Sequence, residues 1–472
     1  LKCSTASGLD LPTSNTHFNV MPPSESAASP PSKRIRSENA CTAPTVVEGL
    51  RPSFLERFFA KYEFTCKHML SCSDSEAWTM QELLGKADAK HREVWENISL
   101  GYTESLGDPM LLQAIWERYK EQVERELQRR GRRDGAVLTH CYSKQDVVKI
   151  TTCVPVEGIY AVMLQLLKSG DFVICGPPAY QALYEIARSK GCTIVEWRPH
   201  YDAHHNFWSF QLSELQLILE KHFSGANKLK MLVVNSPHNP TGACFSQAQL
   251  DSISSLLEAL PQQEPPILFS DEMYSDILPS RPSNVGKRNS IVLSGLSKPW
   301  GMPGLRLGWL LFENSSHFND IAAFRDYTTL CLPPQSEVLS LIALRNAAYF
   351  LNRNREIAQH NYKMLQEFVL RHPCWFCPLN QHEHNASVKD FAGVTVFVRL
   401  KKPLGGIERD IPPYLQSMSS FVEHLAQKYS ICLVCSDFFE FHDFPCVRFG
   451  IGRKNFTESL VQLEDALRTA SG

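Results

Sequence analysis

Long apolar segments are missing from this chain of 472 residues. No run of about 18 apolar residues occurs, so the sequence predicts no transmembrane helix. An excess of charge of one sign is missing too, since 48 Lys and Arg stand against 50 Asp and Glu, a formal net charge of -2. This balance gives no support for a nucleic-acid or membrane-surface partner. An apolar segment of the signal-peptide type is also absent, and we therefore expect a cytoplasmic protein.

The cysteines lack the pattern of a disulfide framework. Their number, 15, is odd, and they are scattered along the chain, often within apolar runs. Buried free thiols in a reducing compartment fit this distribution better than disulfides do. Two C-x-x-C patterns, Cys374–Cys377 and Cys432–Cys435, lie too far apart for a zinc ribbon. The sequence therefore predicts no metal site.

The chain divides into regions of different composition. Residues 1–50 are rich in Ser, Pro, Thr and Ala and poor in aromatic residues, so they are predicted to form a disordered tail. From Asp146 onward, apolar strand-like runs alternate with helical patterns. The runs before Pro334 are 147–151, 172–175, 193–197, 231–235, 267–270, 291–294 and 309–312.

Continuous apolar strands that alternate with helices are typical of a mostly parallel sheet covered on both faces. We therefore predict an α/β fold in which residues 51–334 form a large domain, with a mostly parallel seven-stranded sheet between helices. Residues 335–472 are predicted to form a smaller α+β C-terminal domain. Its helical patterns lie near 336–370 and 419–429, and its strands near 394–400, 431–435 and 447–451.

A lysine flanked by serines and followed by glycines comes after one of these strands. Lys298 follows Ser294 and Ser297, and Arg306 comes eight residues later. A lysine amine can act as a nucleophile that forms a Schiff base. Hydroxyls and a guanidinium fork are typical phosphate ligands. The segment predicts a Schiff-base lysine beside a bound phosphate, and the alternative on this segment alone is a surface lysine in a glycine-rich turn.

Polar side chains follow two other predicted strands. Asn239 lies in the turn after the run 231–235, where its amide can bond a ligand oxygen or simply complete the turn. Asp271 and Tyr274 follow the run 267–270. In open parallel sheets ligands sit at this carboxyl edge. A carboxylate there can hold a protonated pyridine nitrogen, or it can cap a helix.

Two further residues stand out by their position in apolar surroundings. Tyr180 follows the run 172–175 and can stack on a flat ring or belong to the core. Arg448 interrupts an otherwise apolar strand, where a charge is costly unless it is paired. A substrate carboxylate is one possible partner for this guanidinium, and a structural ion pair is the other.

In order and content these segments resemble the fold-type I pyridoxal-5'-phosphate (PLP) enzymes, specifically the class I/II aminotransferase family. The resemblance extends from about Pro52 to the end of the chain. It implies an aspartate aminotransferase-like fold, PLP as cofactor, amino acid and 2-oxo acid substrates, and a homodimer. The matching motifs, in the family's order, are Asn239–Gly242, Asp271–Tyr274, Ser294–Lys298 with Arg306, and Arg448.

The resemblance implies catalytic roles for three residues. Lys298 resembles the lysine that forms the Schiff base and then carries a proton. Asp271 resembles the partner of the pyridine nitrogen, which keeps the ring an electron sink. Tyr274 and Asn239 resemble donors to the phenolic oxygen, and Asn239 is also expected to contact the substrate. Tyr180 resembles the residue that stacks on the cofactor ring.

The remaining roles concern the phosphate and the substrate carboxylate. Ser294, Ser297 and Arg306 resemble phosphate ligands. Arg448 resembles the arginine that binds the substrate α-carboxylate. Tyr102 resembles the tyrosine that reaches the phosphate of the neighbouring subunit, which implies shared sites in a dimer.

Two stretches depart from the family's pattern. Residues 152–158, the place of the phosphate loop, lack the glycine expected near Val154, and Pro155 has no N–H to donate. The amides of Val154 and Val156 are expected to remain available. Residues 69–73 fill the place of the family's mobile N-terminal loop without its usual glycine.

Three functions remain in competition. Transamination between an amino acid and a 2-oxo acid is the first prediction. Lyase or cyclase chemistry is the second, because residues 298–306 are similar to 1-aminocyclopropane-1-carboxylate synthases and some relatives cleave C–S bonds or cyclise modified arginines. The third is a non-catalytic, PLP-bound binding protein, against which the retained Lys298 and Asp271 argue. The amino donor is not identified by the sequence.

Overall fold

A computed structural model describes residues 49–131, 148–379, 393–401 and 416–471. All but the last two residues of the predicted tail lie outside this part of the chain. The strands of the described chain are β1 (His68–Met69), β2 (Lys149–Cys153), β3 (Phe172–Ile174), β4 (Thr193–Val195), β5 (His200–Asp202), β6 (Phe207–Ser209), β7 (Leu229–Asn235), β8 (Ile267–Asp271), β9 (Ser290–Gly295), β10 (Gly308–Phe312), β11 (Thr395–Arg399), β12 (Ile431–Cys432), β13 (Val434–Cys435) and β14 (Cys446–Gly450).

Helices flank these strands along the chain, and several have regular caps. Helix α4 begins with Asp108, which accepts the N–H groups of Met110 and Leu111, and Pro109 suits the first turn. The helices are α1 (Phe54–Tyr62), α2 (Met80–Leu84), α3 (Ala89–Glu96), α4 (Pro109–Arg129), α5 (Pro155–Leu166), α6 (Ala182–Ser189), α7 (Leu212–Phe223), α8 (Gln247–Glu258), α9 (Ser315–Arg325), α10 (Pro334–Arg345), α11 (Ala347–Arg371), α12 (Met418–Tyr429) and α13 (Phe456–Ser471).

The large sheet has the strand order β2-β10-β9-β8-β7-β3-β4 within the described chain. Strand β10 is antiparallel to both of its neighbours, and the other pairs are parallel. Every residue of β8, β9 and β10 is buried, which is the pattern of strands covered on both faces. The predicted α/β fold with a mostly parallel seven-stranded sheet is confirmed.

A smaller antiparallel sheet in the C-terminal part has the order β11-β14-β13. Arg448 lies in the central strand, opposite Phe397 on one side and Val434 on the other. The strand predicted over 431–435 is divided between this sheet and a two-stranded one, in which β12 pairs with β1. The domain boundary between residues 334 and 335 stays a prediction.

The N-terminal segment that follows β1 passes close to the end of β14. Strand β1 pairs in parallel with β12, and the N–H of Gly450 then donates to the carbonyl of Leu70 at 2.7 Å. A Cβ on Gly450 would lie 1.7 Å from the carbonyl oxygen of Cys72. Only glycine permits this approach, so β14 and residues 70–75 are packed backbone to backbone.

Two other details differ from the patterns read along the sequence. The long helical pattern over 336–370 is two helices, because α10 ends before Asn346 and α11 begins after it. The hairpin of β5 and β6 has strands of three residues each, too short to give a periodic signal. All cysteines in the described residues are free, and no helix there is both long and apolar enough to cross a membrane.

Candidate active site

The candidate site is built at the carboxyl ends of three neighbouring strands, β7, β8 and β9. Asn235 pairs in register with Asp271, and Asp271 pairs with Leu293. The N–H of Ser236 donates to the carbonyl of Asp271 at 3.1 Å, which continues the pairing past the strand ends. The turns that carry Asn239, Tyr274 and Lys298 therefore leave the sheet at one edge, where ligands of parallel sheets bind.

Asp271 is a buried carboxyl group at this edge. Its Oδ1 accepts the N–H of Met273 at 3.1 Å. Burial raises the pKa of Asp271 from 3.8 to about 6, while that N–H and the nearby charge of Lys298 act in the opposite direction. The carboxylate therefore favours a cationic partner, and Lys298 lies near enough to influence it.

The amine of Lys298 contacts the N-terminal segment. Its Nζ donates to the hydroxyl of Ser73 at 3.0 Å, and its carbonyl accepts the N–H of Ser75 at 3.0 Å. Asp74, between these serines, forms an ion pair with Arg453 at 2.9 Å. Residues 73–75 thus lie against the lysine, although no local pattern in the sequence assigns Ser73 a role.

Arg448 and Asn239 are brought together by the fold. The Nη1 of Arg448 donates to Asn239 Oδ1 at 2.9 Å, and its Nη2 donates to the carbonyl of Ser71 at 2.7 Å. Asn239 is itself held by its N–H, which donates to Asn235 Oδ1 at 2.8 Å. The Arg448 side chain is 0% exposed, and its Nε has no hydrogen-bond partner among the described residues.

This guanidinium is a buried cation without an anionic partner in the described chain. Salt bridges there do not include Arg448, and its two bonded acceptors are an amide and a carbonyl. Burial lowers the pKa of Arg448, and the neighbouring Tyr274 acts against that shift. Because an unpaired buried charge is costly, the arrangement favours an anionic ligand.

The two tyrosines predicted for the ring site differ in burial and contacts. Tyr274 is buried, directly before the short turn of helix Ser275–Ile277. Tyr180 is half-buried, and its hydroxyl donates to Glu56 Oε1 at 3.4 Å. Burial raises the pKa of Tyr180, and the nearby Glu56, Tyr274 and Asp271 add to the shift.

The predicted phosphate ligands differ in their surroundings. Ser294 is buried and its hydroxyl donates to the carbonyl of Glu272 at 3.4 Å. Ser297 is also buried, and its hydroxyl has no partner among the described residues. Arg306 is exposed, has a left-handed backbone with φ 52°, and donates from Nη1 to the carbonyl of Pro303 at 3.0 Å.

The loop before α5 contains a contact that the sequence did not reveal. The N–H of Val154 donates to Glu157 Oε2 at 3.3 Å. The Val154 amide, which was expected from the sequence to be free for a ligand, therefore has a partner within the chain. Tyr102, predicted to act in a neighbouring subunit, is 89% exposed. No group of three or more potential metal ligands occurs within the described residues.

The fold and the residues at this edge define a fold-type I PLP-dependent enzyme. The pattern of the family "aminotransferase class I and II" matches residues 100–452, and the chain belongs to this family. The residues fit PLP, since an amine, a buried carboxyl group and the partnerless buried hydroxyl of Ser297 lie at one sheet edge. Lys298, Asp271 and Ser297 would hold the cofactor there.

Comparison with curated proteins gives relatives of different activities. Capreomycidine synthase of Streptomyces vinaceus is 29% identical over 228 residues, which are 47% of this chain and 54% of that protein. Tyrosine aminotransferase of Mus musculus is 29% identical over 194 residues, 39% of each protein. The chain thus spans about half the length, or less, of these curated relatives.

Solved structures establish the fold over nearly the whole chain. A PLP-dependent aminotransferase from Streptococcus suis superimposes with a TM-score of 0.69 at 22% identity, covering 89% of this chain and 97% of that one. An aspartate aminotransferase from Thermus thermophilus gives a TM-score of 0.65 at 18% identity, covering 88% and 97%. The predicted aspartate aminotransferase-like architecture is confirmed.

Proposed function

We propose that the chain is an aminotransferase that moves an amino group between an amino acid and a 2-oxo acid. One observation carries this proposal: Arg448 is fully buried beside the lysine edge, bonded only to neutral acceptors and with Nε unpartnered in the described chain. A carboxylate is the ligand that a guanidinium fork binds best. Amino acids and 2-oxo acids both carry one next to the reacting carbon.

The side chains of the site have complementary tasks in this reaction. Arg448, held by Asn239 and the carbonyl of Ser71, would bind and orient the substrate carboxylate. Lys298 would carry a proton at Nζ, with Ser73 as its hydrogen-bond partner in the free site. Asp271 would keep a proton on the ring nitrogen opposite it. When bound, PLP supplies an electron sink for the substrate carbon.

We also propose that the chain acts as a homodimer with shared sites. Five of the thirteen large apolar side chains that are exposed in the described residues lie on segments joined by hydrogen bonds, from Thr103 to Leu332 and from Thr328 to Glu157. A patch of this kind marks a protein–protein contact. The exposed side chains are Leu100, Tyr102, Val156, Tyr327 and Leu330.

A half-reaction with single amino acids tests the proposed activity. Purified protein loaded with PLP is mixed with each of the twenty amino acids, and the visible band and the 2-oxo acid formed are measured. A donor should abolish the band and release one 2-oxo acid per site without ammonia. Lys298→Ala should give neither change, and the amine that lacks the donor's carboxylate should be inactive because Arg448 has nothing to bind. Turnover that survives Lys298→Ala would contradict the proposal.

A cyclase or lyase is the second candidate, because the relatives include a capreomycidine synthase. The same experiment separates the two. A cyclase or lyase would restore the original band after each turnover without an added 2-oxo acid, and would release ammonia or a rearranged product. Binding of amino acids with a spectral change but no product would instead indicate a binding protein.

A further inference from the structure

Helix α5 begins next to the strand that leads to Lys298. Strands β2 and β9 both pair with β10, and Gly308 lies opposite Cys153 on one side and Gly295 on the other. A Cβ on Gly308 would lie 2.8 Å from Cγ of Pro155, and one on Gly295 would lie 3.3 Å from it. The first turn of α5 is therefore packed against the end of β9, three residues before Lys298.

A helix that starts at such an edge ordinarily offers its free N–H groups and its positive dipole end to an anion. In this chain a carboxylate of the same helix already lies there. Glu157, in the first turn of α5, accepts the N–H of Val154 at 3.3 Å. Pro155, the next residue, has no N–H to offer. The beginning of the helix thus has fewer free donors and an added negative charge.

The second carboxylate oxygen of Glu157, Oε1, is also held by hydrogen bonds. It accepts the hydroxyl of Thr328 at 2.6 Å, and also the hydroxyl of Thr329. Both threonines lie beyond the end of α9, so the carboxylate joins two parts of the chain. A side chain with three donors does not swing freely between rotamers. The carboxylate of Glu157 is therefore held in one position at the start of α5.

We propose that Glu157 competes with the cofactor phosphate for the start of α5 and thereby sets the affinity of the chain for PLP. This inference rests on the proposed function, in which PLP binds at this sheet edge. A carboxylate and a phosphate repel each other, so the phosphate binds at the cost of moving Glu157 or of accepting its charge nearby. The unphosphorylated aldehyde pyridoxal has no phosphate and is insensitive to Glu157.

Titration of the 472-residue protein, freed of cofactor by dialysis, tests this role. Dissociation constants for PLP and for pyridoxal are measured by the change in visible absorbance. Glu157→Gln keeps an acceptor for the Val154 N–H and removes only the charge. It should tighten PLP binding about tenfold or more, since a unit charge is removed at close range. The dissociation constant of pyridoxal should be unchanged. Glu157→Ala is a second variant that frees the helix end entirely, and it should tighten PLP binding as well.

Glu82→Gln is the matched control. Glu82 caps α2 in the same way, accepting the N–H of Thr79 at 2.8 Å, but it lies on an exposed helix. Its replacement should change neither dissociation constant. Equal PLP affinity in wild type and both Glu157 variants would overturn the proposal, and so would an equal change for PLP and pyridoxal. Because the titration measures binding alone, a protein that binds as expected but forms no 2-oxo acid would contradict only the aminotransferase assignment.

Discussion

Two adjacent carboxyl groups, Asp271 and Glu272, are buried at the end of β8. Burial raises the pKa of Asp271 from 3.8 to about 6 and that of Glu272 from 4.5 to about 7. A folded-state pKa above the unfolded value means that the folded chain favours the protonated acid. The stability contributed by the neutral form is complete below the unfolded pKa and is lost as the pH rises through the folded one.

Asp271→Asn should therefore stabilise the cofactor-free protein at neutral pH. The amide oxygen can still accept the Met273 N–H, while the charge disappears. Because one pKa unit corresponds to about 1.4 kcal/mol, a gain on the order of 3 kcal/mol is expected in the free energy of unfolding. Urea denaturation measures it, and the gain should be larger at about pH 7.5 than at about pH 5. A loss of stability at both pH values would contradict the expectation.

Glu272→Gln is the comparison that separates stability from function. Glu272 Oε1 accepts the Ser270 hydroxyl at 2.9 Å and the Asn284 N–H at 2.8 Å, and neither partner is a residue proposed to hold the cofactor or the substrate. The variant should also gain stability relative to wild type, and this gain should grow as the pH rises from about 4.5 to about 7 and persist above it. It should keep its half-reaction, whereas Asp271→Asn should lose it.

At the scale of elements, the segment after β1, residues 70–75, links several residues of the site. It reaches Arg448 through the carbonyl of Ser71, Lys298 through the hydroxyl of Ser73, and Arg453 through Asp74. Its path is fixed by its close packing on the end of β14. The segment, called the strap below, therefore contacts both Arg448 and Lys298.

Gly450→Ala should displace this strap. The added Cβ would meet the Cys72 carbonyl oxygen at 1.7 Å, and backbone atoms cannot yield as a flexible side chain can. We expect a loss of about 2–4 kcal/mol in unfolding free energy, as for other severe backbone clashes. The KM for the amino acid donor should also rise, because Ser71 moves away from Arg448. Gly304→Ala, where a Cβ meets nothing within 4 Å, is the control and should alter neither quantity. An unchanged KM in Gly450→Ala would show that the strap does not position Arg448.

The sequence predicted those elements whose signal is local. Asp271 and Lys298 follow continuous apolar runs, and the edge of a parallel sheet brings such residues together wherever the strands are neighbours. Ser71 and Ser73 were not predicted, because their contacts with Arg448 and Lys298 depend on chain segments 377 and 225 residues away. Glu157 was overlooked because Val154, the residue it caps, has no polar side chain to signal a capping box.

At the scale of the whole molecule, the exposed apolar residues proposed to contact a second copy include Tyr102 and Val156, which lies in the first turn of α5. Tyr327 is 91% exposed and Val156 is 43% exposed, and a contiguous apolar patch would mark a contact with another protein. If a second copy covers the patch, we expect Tyr102 to reach a site of the partner, as the family resemblance implies. The activity of one chain then depends on residues of another.

Hybrid dimers test this arrangement. Lys298→Ala and Tyr102→Ala should each be nearly inactive alone. After the two proteins are unfolded, mixed in equal amounts and refolded, about a quarter of wild-type activity should return, since half of the dimers are hybrids and each hybrid has one intact site. Separately refolded samples are the control. Activity that stays at the level of that control would argue against shared sites.

The packing of the strap on β14 also affects the order in which the site forms during synthesis of the chain. Synthesis proceeds from the N-terminus, and domains begin to fold as they leave the ribosome. The strands of the large sheet lie between Lys149 and Phe312, so a nascent chain has all seven before Arg448 has been translated. Until then the carbonyl of Ser71 has no guanidinium to accept from, and closing so long a loop costs chain entropy. A ribosome stalled before β14 would therefore hold a protein in which Lys298 is present but Arg448, the residue proposed to bind the substrate carboxylate, is not.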